Sequence, residues 1–119
     1  MVQLRLNGSK ITGNFPSSLC RLVNLSAIEL GGNRFSGPIP PEIGNCKKLQ
    51  RLDLSGNYFS PELPNEIKRL THLVTLNISS NLITRRIPPE ILHCKMLQRL
   101  DFSRKAFSYD IPHQLGSLL

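Results

Sequence analysis

Apolar residues recur along this chain with a period of 24 residues. Each repeat contains the motif L-x-x-[IL]-x-[LIF], which begins at Leu25, Leu49, Leu73 and Leu97. Proline marks one further column of the repeat, at Pro16, Pro40, Pro64, Pro88 and Pro112. A fixed period of this length is typical of a protein built from supersecondary units that stack on one another.

Within each motif apolar residues alternate with polar ones, which predicts a short strand with one buried face. The inward-pointing pairs are Ile28/Leu30, Leu52/Leu54, Leu76/Ile78 and Leu100/Phe102. The residues between them are predicted to point outward: Glu29, Asp53, Asn77 and Asp101. Strands of stacked repeats pair in parallel about 4.8 Å apart, so five of them form a sheet roughly 20 Å wide.

An asparagine follows the strand in three repeats, at Asn33, Asn57 and Asn81. Because an amide both donates and accepts, we expect a ladder in which these side chains hold backbone groups of adjacent coils. The ladder breaks at Lys105, since an ammonium group has no acceptor. Proline or asparagine opens a helix well. One-turn helices are therefore predicted on the opposite side of the coils, starting at Pro41, Asn65, Pro89 and His113.

The pattern L-x-x-L-x-L-x-x-N, followed by [FI]-[ST]-G-x-[IL]-P, resembles leucine-rich repeats of the plant extracellular type over residues 2–119. The resemblance implies an α/β repeat solenoid. This is a right-handed superhelix with short parallel strands on the concave face and short 3-10 or α turns on the convex face. The single solenoid segment 1–119 then has coils at 22–45, 46–69, 70–93 and 94–117, after a partial coil at 1–21, with no caps.

In particular, the sequence is similar to the ectodomains of plant leucine-rich-repeat receptor-like serine/threonine kinases. Receptors of that family carry a signal peptide, capped repeats, one membrane helix and a cytoplasmic kinase. Many bind a secreted peptide on the inner face and recruit a co-receptor kinase. The resemblance therefore implies a module that binds a peptide or protein outside the plasma membrane, or as a secreted chain, without touching the membrane itself.

Two alternatives stay open. One is a stand-alone secreted defence protein similar to polygalacturonase inhibitors, although that class needs cysteine caps and more coils. The other is a truncated remnant without independent function, which the lost asparagine at Lys105 favours.

The outward columns of the strands supply the candidate ligand-binding residues, because solenoids bind partners along their concave face. Arg51 and Asp53 recur two coils later as Arg99 and Asp101. Such pairs could clamp the backbone or the charged ends of an extended peptide. The remaining candidates on this face are Ser55, Tyr58, Thr75 and Asn77, with Tyr58 as the aromatic anchor.

Three N-x-[ST] sequons offer possible glycosylation sites, at Asn7, Asn24 and Asn77. Such sites are expected of a secreted chain.

The three cysteines are predicted to be unpaired. Cys46 and Cys94 share a column, but two coils separate them by about 10 Å, beyond the roughly 7 Å reach of a disulfide. Cys20 lies in a different column without an obvious partner. We therefore expect three small buried hydrophobic side chains, and none of the paired cysteines usual in the capping segments of the family.

Composition and the absence of known motifs argue against several other classes of function. The 119 residues carry a net charge of +7, from 15 Lys and Arg against 8 Asp and Glu. No basic run exceeds two residues and no aromatics interleave, which favours a solvated basic surface over nucleic-acid binding. The sequence has no phosphate-binding loop, nucleophile elbow, dinucleotide fingerprint or metal-ligand spacing, so no enzyme, cofactor or metal site is expected. It also shows no apolar run of about 18 residues and no targeting signal.

Overall fold

The strands stack in parallel, as the 24-residue period predicts. The computed structural model describes residues 2–22, 24–60, 62–81 and 89–101. In these parts of the chain five strands form one sheet in the order β1-β3-β5-β7-β8. Their bounds are β1 Val2–Arg5, β3 Leu25–Glu29, β5 Arg51–Asp53, β7 Thr75–Asn77 and β8 Arg99–Asp101. One turn of the solenoid joins each strand to its neighbour, so the sheet forms one face of the molecule.

A second, smaller sheet lies beyond the first. Within the described residues it has three strands in the order β2-β4-β6. They are β2 Thr12–Gly13, β4 Arg34–Gly37 and β6 Tyr58–Phe59. The chain reaches this sheet through a left-handed residue just before the asparagine of the motif, such as Gly32 at φ +70° or Gly56 at φ +65°. Ser80 takes the same conformation at φ +57°.

Short helices close the convex side. The 3-10 helices Pro41–Asn45, Asn65–Arg69 and Pro89–His93 begin at the three residues that the sequence indicated. In the first coil an α-helix, α1 Leu19–Leu22, takes the place of the 3-10 helix. The segment predicted to start at His113 and the ladder break at Lys105 lie outside the described residues.

The core is a continuous column of apolar side chains between the sheet and the convex helices. Leu52, Leu54, Leu76 and Ile78 from the strands are fully buried. Phe59 is also fully buried and stacks on Phe35, with ring centroids 6.0 Å apart and the planes nearly parallel at 6°. Burial of this kind stabilises a repeat only when a neighbouring coil covers it.

The asparagine side chains link each coil to the preceding one. Asn57 is 4% exposed, and its Oδ1 accepts a hydrogen bond from the backbone N–H of Phe35 at 3.0 Å. Its Nδ2 donates to the carbonyl oxygens of Leu30 at 2.9 Å and Ser55 at 3.0 Å. Asn33 and Asn81 repeat this arrangement one coil to either side. These amides satisfy backbone groups that would otherwise be buried without a partner.

The expectation of three unpaired cysteines is wrong. Cys20 and Cys46 form a disulfide, with their Cα atoms 5.0 Å apart. Comparing residues of one column overlooked this pair, because Cys20 lies two residues out of step with Cys46. The helix α1 carries Cys20 beside the end of the next convex helix, where Cys46 stands. Cys94 is the free, buried thiol among the described residues.

Candidate ligand-binding face

Two rows of side chains cross the five-stranded sheet at right angles to its strands. In the strand register, Arg51 lies beside Thr75, which lies beside Arg99. One step along the strands, a second row runs through Glu29, Asp53, Asn77 and Asp101. Arg51 and Arg99 are exposed, whereas Thr75 and the second row are half-buried. The structure thus brings six of the eight predicted site residues together in these two rows.

Serines hold one oxygen atom of each of two residues in the second row, Asp53 and Asn77. Oδ1 of Asp53 accepts hydrogen bonds from the Ser55 hydroxyl at 2.6 Å and from the Ser55 backbone N–H at 3.0 Å. Oδ1 of Asn77 accepts the equivalent pair from Ser79, at 2.7 Å and 3.1 Å. Each side chain therefore has one occupied oxygen, and the other polar atom of its head group has no partner among the described residues. This orientation is set before any ligand arrives, which lowers the entropic cost of binding.

Ser79 was not among the predicted site residues, although a signal for its role is present. The spacing [DN]-x-S occurs at Asp53 and again at Asn77. Short polar side chains commonly bond to a backbone N–H two residues further on. Recurrence of this spacing at the repeat period would have found Ser79.

In the second coil the residue of this row and the backbone N–H two residues later have other partners. Glu29 replaces the short side chain, and its Oε2 lies 3.1 Å from Nε of Arg5 in an ion pair without hydrogen-bond geometry. The Gly31 N–H is instead satisfied by Oδ1 of Asn7 from the preceding coil, at 2.9 Å. Glycine at position 31 also leaves room for the next coil, since a Cβ there would lie 3.1 Å from the Ser55 hydroxyl oxygen and 3.3 Å from Oδ1 of Asp53.

Tyr58 lies apart from the two rows. It begins β6 in the second sheet and is 55% exposed. The chain has already turned away from the five-stranded sheet at Gly56 and Asn57, so this aromatic ring belongs to a neighbouring surface. The structure thus places Tyr58 beside the concave strands and not on them.

The three sequons differ in their surroundings. Asn24 is exposed at the entrance to β3. Asn7 is exposed but bonded to the second coil through Gly31. Asn77 stands in the middle of the second row, so a glycan there would cover the face on which ligand binding is predicted.

The free thiol of Cys94 has low reactivity near neutral pH. Cys94 is 2% exposed and donates a hydrogen bond to the Ile67 carbonyl oxygen at 3.3 Å. Burial raises the pKa of the Cys94 thiol to about 11. Since the thiolate is the nucleophile and the metal ligand, this residue is unsuited to both roles near neutral pH.

The described residues provide neither a group of metal ligands nor a membrane-spanning helix. In these parts of the chain no three His, Cys, Asp or Glu side chains are grouped closely enough to hold a metal ion. None of the described helices has the length and apolar character needed to cross a membrane.

The sequence matches a known family. The model of the Leucine Rich Repeat family matches residues 24–46, 48–70 and 72–94. No curated protein sequence gives a significant match.

Solved structures give a finer comparison. A chain of the BIR3–SERK2 complex from Arabidopsis thaliana is 32% identical, with a TM-score of 0.89 over 96% of this chain and 61% of that one. The BIR2 ectodomain from Arabidopsis thaliana is 30% identical, with a TM-score of 0.78 over 82% of this chain and 52% of that one.

A third structure is the ectodomain of the Arabidopsis thaliana receptor kinase GASSHO1/SCHENGEN3 in complex with CASPARIAN STRIP INTEGRITY FACTOR 2. It is 33% identical, with a TM-score of 0.80 over 84% of this chain and 12% of that one. This chain therefore spans about half to three fifths of the first two chains and a small part of the third.

Proposed function

We propose that this chain, which belongs to the leucine-rich-repeat family in the form found in plant receptor-kinase ectodomains, binds a secreted peptide or protein on its five-stranded sheet. The two polar rows on that sheet carry the proposal. With their Oδ1 atoms held by serines, Asp53 on β5 offers Oδ2 as an acceptor and Asn77 on β7 offers Nδ2 as a donor at fixed positions, flanked by the exposed guanidinium groups of Arg51 and Arg99.

An extended peptide suits this surface chemically. Its backbone N–H groups and any Lys or Arg side chains can donate to Oδ2 of Asp53, and its carbonyl oxygens can accept from Nδ2 of Asn77. Its carboxylates can pair with Arg51 and Arg99, since arginine binds a carboxylate through two parallel hydrogen bonds. Recognition through strands and alternating side chains is a recurring way to bind extended peptides.

The disulfide supports an extracellular location. Disulfides persist in oxidising compartments and are rare in the cytosol. The similar structures are ectodomains of plant membrane receptors. We therefore place this module on the outer side of the plasma membrane, as a binding unit rather than an enzyme.

A selection experiment tests the ligand-binding face. Random dodecapeptides displayed on phage are selected on the full chain, and the enriched peptides are measured against two double variants. Arg51→Gln with Asp53→Asn changes the face while keeping Oδ1 of residue 53 for Ser55. Arg34→Gln with Glu62→Gln is the control, because both residues are exposed and lie away from the five-stranded sheet.

We expect the enriched peptides to lose about tenfold or more in affinity for the first variant, the scale of one lost charge-assisted contact. They should bind the control as they bind the parent chain. Peptides that bind both variants equally would contradict binding on the five-stranded sheet.

A co-receptor ectodomain is the second proposed partner. One of the similar structures is a complex that contains SERK2. The test measures binding of the SERK2 ectodomain to the full chain, with and without a selected peptide. Binding that strengthens when the peptide is present supports the assignment, and the absence of binding in both conditions rejects it.

A further inference from the structure

One flank of the solenoid carries several cations and no acidic residue. It consists of the last three residues of each convex 3-10 helix and the segment that leads from there towards the next strand, residues 43–50, 67–74 and 91–98, which we name the basic flank. Its cations are Lys47, Lys48, Lys68, Arg69 and Lys95. Three acidic residues, Glu42, Glu66 and Glu90, border the flank in the first turns of the same helices. The others lie further away in the sequence: Glu29, Asp53, Glu62, Asp101 and Asp110. Because the three segments occupy the same part of the repeat, their charges gather on one side.

These cations face solvent and are not neutralised locally. All five are exposed. Among the described residues the one ion pair between two side chains joins Arg5 to Glu29, away from this flank. The positive charge of the flank is therefore available to an external anion.

The apolar residues of the basic flank point inward. Leu49, Leu70 and Leu73 are fully buried, and Leu97 is 4% exposed. Met96, at 51% exposed, is the large apolar side chain that the flank presents to solvent. Tight protein partners usually bind through several buried aromatic or apolar anchors. A hydrophilic chain that carries a charge on each unit fits this surface better.

Contacts between coils make the flank continuous. Nδ1 of His72 lies 3.1 Å from the Lys47 carbonyl oxygen, so the middle coil is tied to the preceding one. The side chain of Arg69 lies over Gly44, since a Cβ on that glycine would be 3.0 Å from Cδ of Arg69. The polar groups of successive coils therefore form one surface rather than separate points.

We propose that the basic flank binds a linear carboxylated polysaccharide of the polyuronate class through Lys47, Lys48 and Lys95. Carboxylates of one polymer chain would meet the ammonium groups of Lys47 and Lys48 on one coil and that of Lys95 two coils later. Lysine suits this role because its charge sits on a flexible stem and adapts to the spacing of the anions. The flank has no aromatic side chain on which a base could stack, which argues against a single-stranded nucleic acid. The choice of a polysaccharide rests on the extracellular location proposed above.

Biolayer interferometry on the full chain tests this proposal with polygalacturonate as the probe and dextran as a neutral polymer. We expect binding to polygalacturonate that weakens steeply as salt is added, because cationic sites on a polyanion release counterions. Dextran should not bind.

Paired variants then locate the site. Lys47→Gln with Lys48→Gln should weaken polygalacturonate binding by about threefold or more, the scale expected for two exposed charge contacts. Lys10→Gln with Arg34→Gln removes the same charge from the side of the second sheet. This control should stay within about twofold of the parent chain, since those charges lie off the flank.

Three results would overturn the proposal. One is equal weakening in both double variants, which would mean attraction by net charge alone. Another is no binding to polygalacturonate even at low salt. The third is tighter binding to phosphatidylserine vesicles or to single-stranded DNA than to polygalacturonate. None of these results bears on the peptide selection, whose variants change Arg51 and Asp53.

Discussion

The first coil, residues 1–21, and the third coil, residues 46–69, have the same apolar motif but are held in different ways. In the third coil Leu52 and Leu54 are fully buried, because β5 has a strand on each side. Phe59 of β6 is fully buried as well. In the first coil Leu4 and Leu6 are half-buried and Val2 is 47% exposed. Among the described strands, β1 pairs only with β3.

A disulfide, hydrogen bonds and an ion pair compensate for the lower burial of the strand residues in the first coil. The disulfide joins Cys20 to Cys46, and the Asn33 amide holds the backbone N–H groups of Ser9 and Ile11 at 2.9 Å and 3.0 Å. Arg5 adds its ion pair with Glu29. The comparison shows that one motif contributes different amounts of stability depending on how many neighbouring coils cover it.

The largest expected effect comes from removing a leucine of the third coil. Leu52→Ala should lower the free energy of unfolding by about 2–5 kcal/mol, because it leaves a cavity in a fully packed core. Leu4→Ala, in the same column of the first coil, should cost about 1 kcal/mol, since that side chain is only half-buried. Urea denaturation measures both. Equal costs would show that the two coils are equally packed.

Breaking the disulfide should come next. Cys20→Ser with Cys46→Ser should lower the free energy of unfolding by about 3 kcal/mol, since the bond closes a loop across a sequence separation of 26 residues. Hydrogen exchange should show the amides of β1 opening before those of β5. A reducing agent should reproduce the loss in the parent chain and leave the double variant unaffected; a loss of the same size in both would count against the disulfide.

The asparagine ladder gives the third contrast. Asn57→Ala should cost about 1–3 kcal/mol, because it leaves the Phe35 N–H and the Leu30 carbonyl oxygen buried without their partner. Asn24→Ala, at an exposed position, should change the free energy of unfolding by less than about 0.5 kcal/mol. Matching shifts in the denaturation midpoint would contradict the role of the ladder.

The left-handed glycines Gly8 and Gly56 provide another contrast between the first and the third coil. Gly8 and Gly56 have nearly the same left-handed conformation, at φ +67° and +65°. Alanine at either site should cost about 1–2 kcal/mol in backbone strain. Gly56→Ala should cost somewhat more, because its Cβ would lie 3.3 Å from the Gly32 nitrogen, whereas a Cβ at Gly8 meets nothing within 4 Å. A larger loss for Gly8→Ala in thermal denaturation would reverse this order.

The smallest effect concerns Cys94, which shares its column with Cys46 but stays reduced. Burial raises its pKa from the ordinary 9.0 to about 11, so the unfolded chain loses this proton first as pH rises. The contribution of Cys94 to the free energy of unfolding is therefore present below pH 9 and declines between pH 9 and about 11. Cys94→Ala should flatten that part of the pH profile in denaturation experiments. An unchanged slope in this variant would show that other groups cause it.

Most of the fold could be predicted from the sequence, because the pattern is repeated at a fixed interval. The helix starts at Pro41, Asn65 and Pro89, and the parallel strands, follow from alternation and from residues that open helices. The rows on the sheet were also predictable, since a constant period places Asp53 beside Asn77 and Asn77 beside Asp101. Peptide recognition by these rows stays a proposal.

Other features depended on contacts outside the repeat columns. The position of Tyr58 depends on where the chain leaves the five-stranded sheet, and the role of Ser79 depends on a bond between two side chains. The positive charge of the basic flank could be predicted from the sequence. Its continuity rests on the contacts of His72 and Arg69 with the preceding coil.

The sequence by itself determined the repeating unit of this protein, because each coil can bury its leucines only against another coil with the same spacing. Tertiary structure alone decided which cysteines pair. The disulfide depends on the distance between two convex segments, and α1 brings Cys20 to Cys46 from a different column. Tertiary structure also decided how deeply each leucine is buried, since Leu4 and Leu52 share a motif but differ in the number of strands packed beside them.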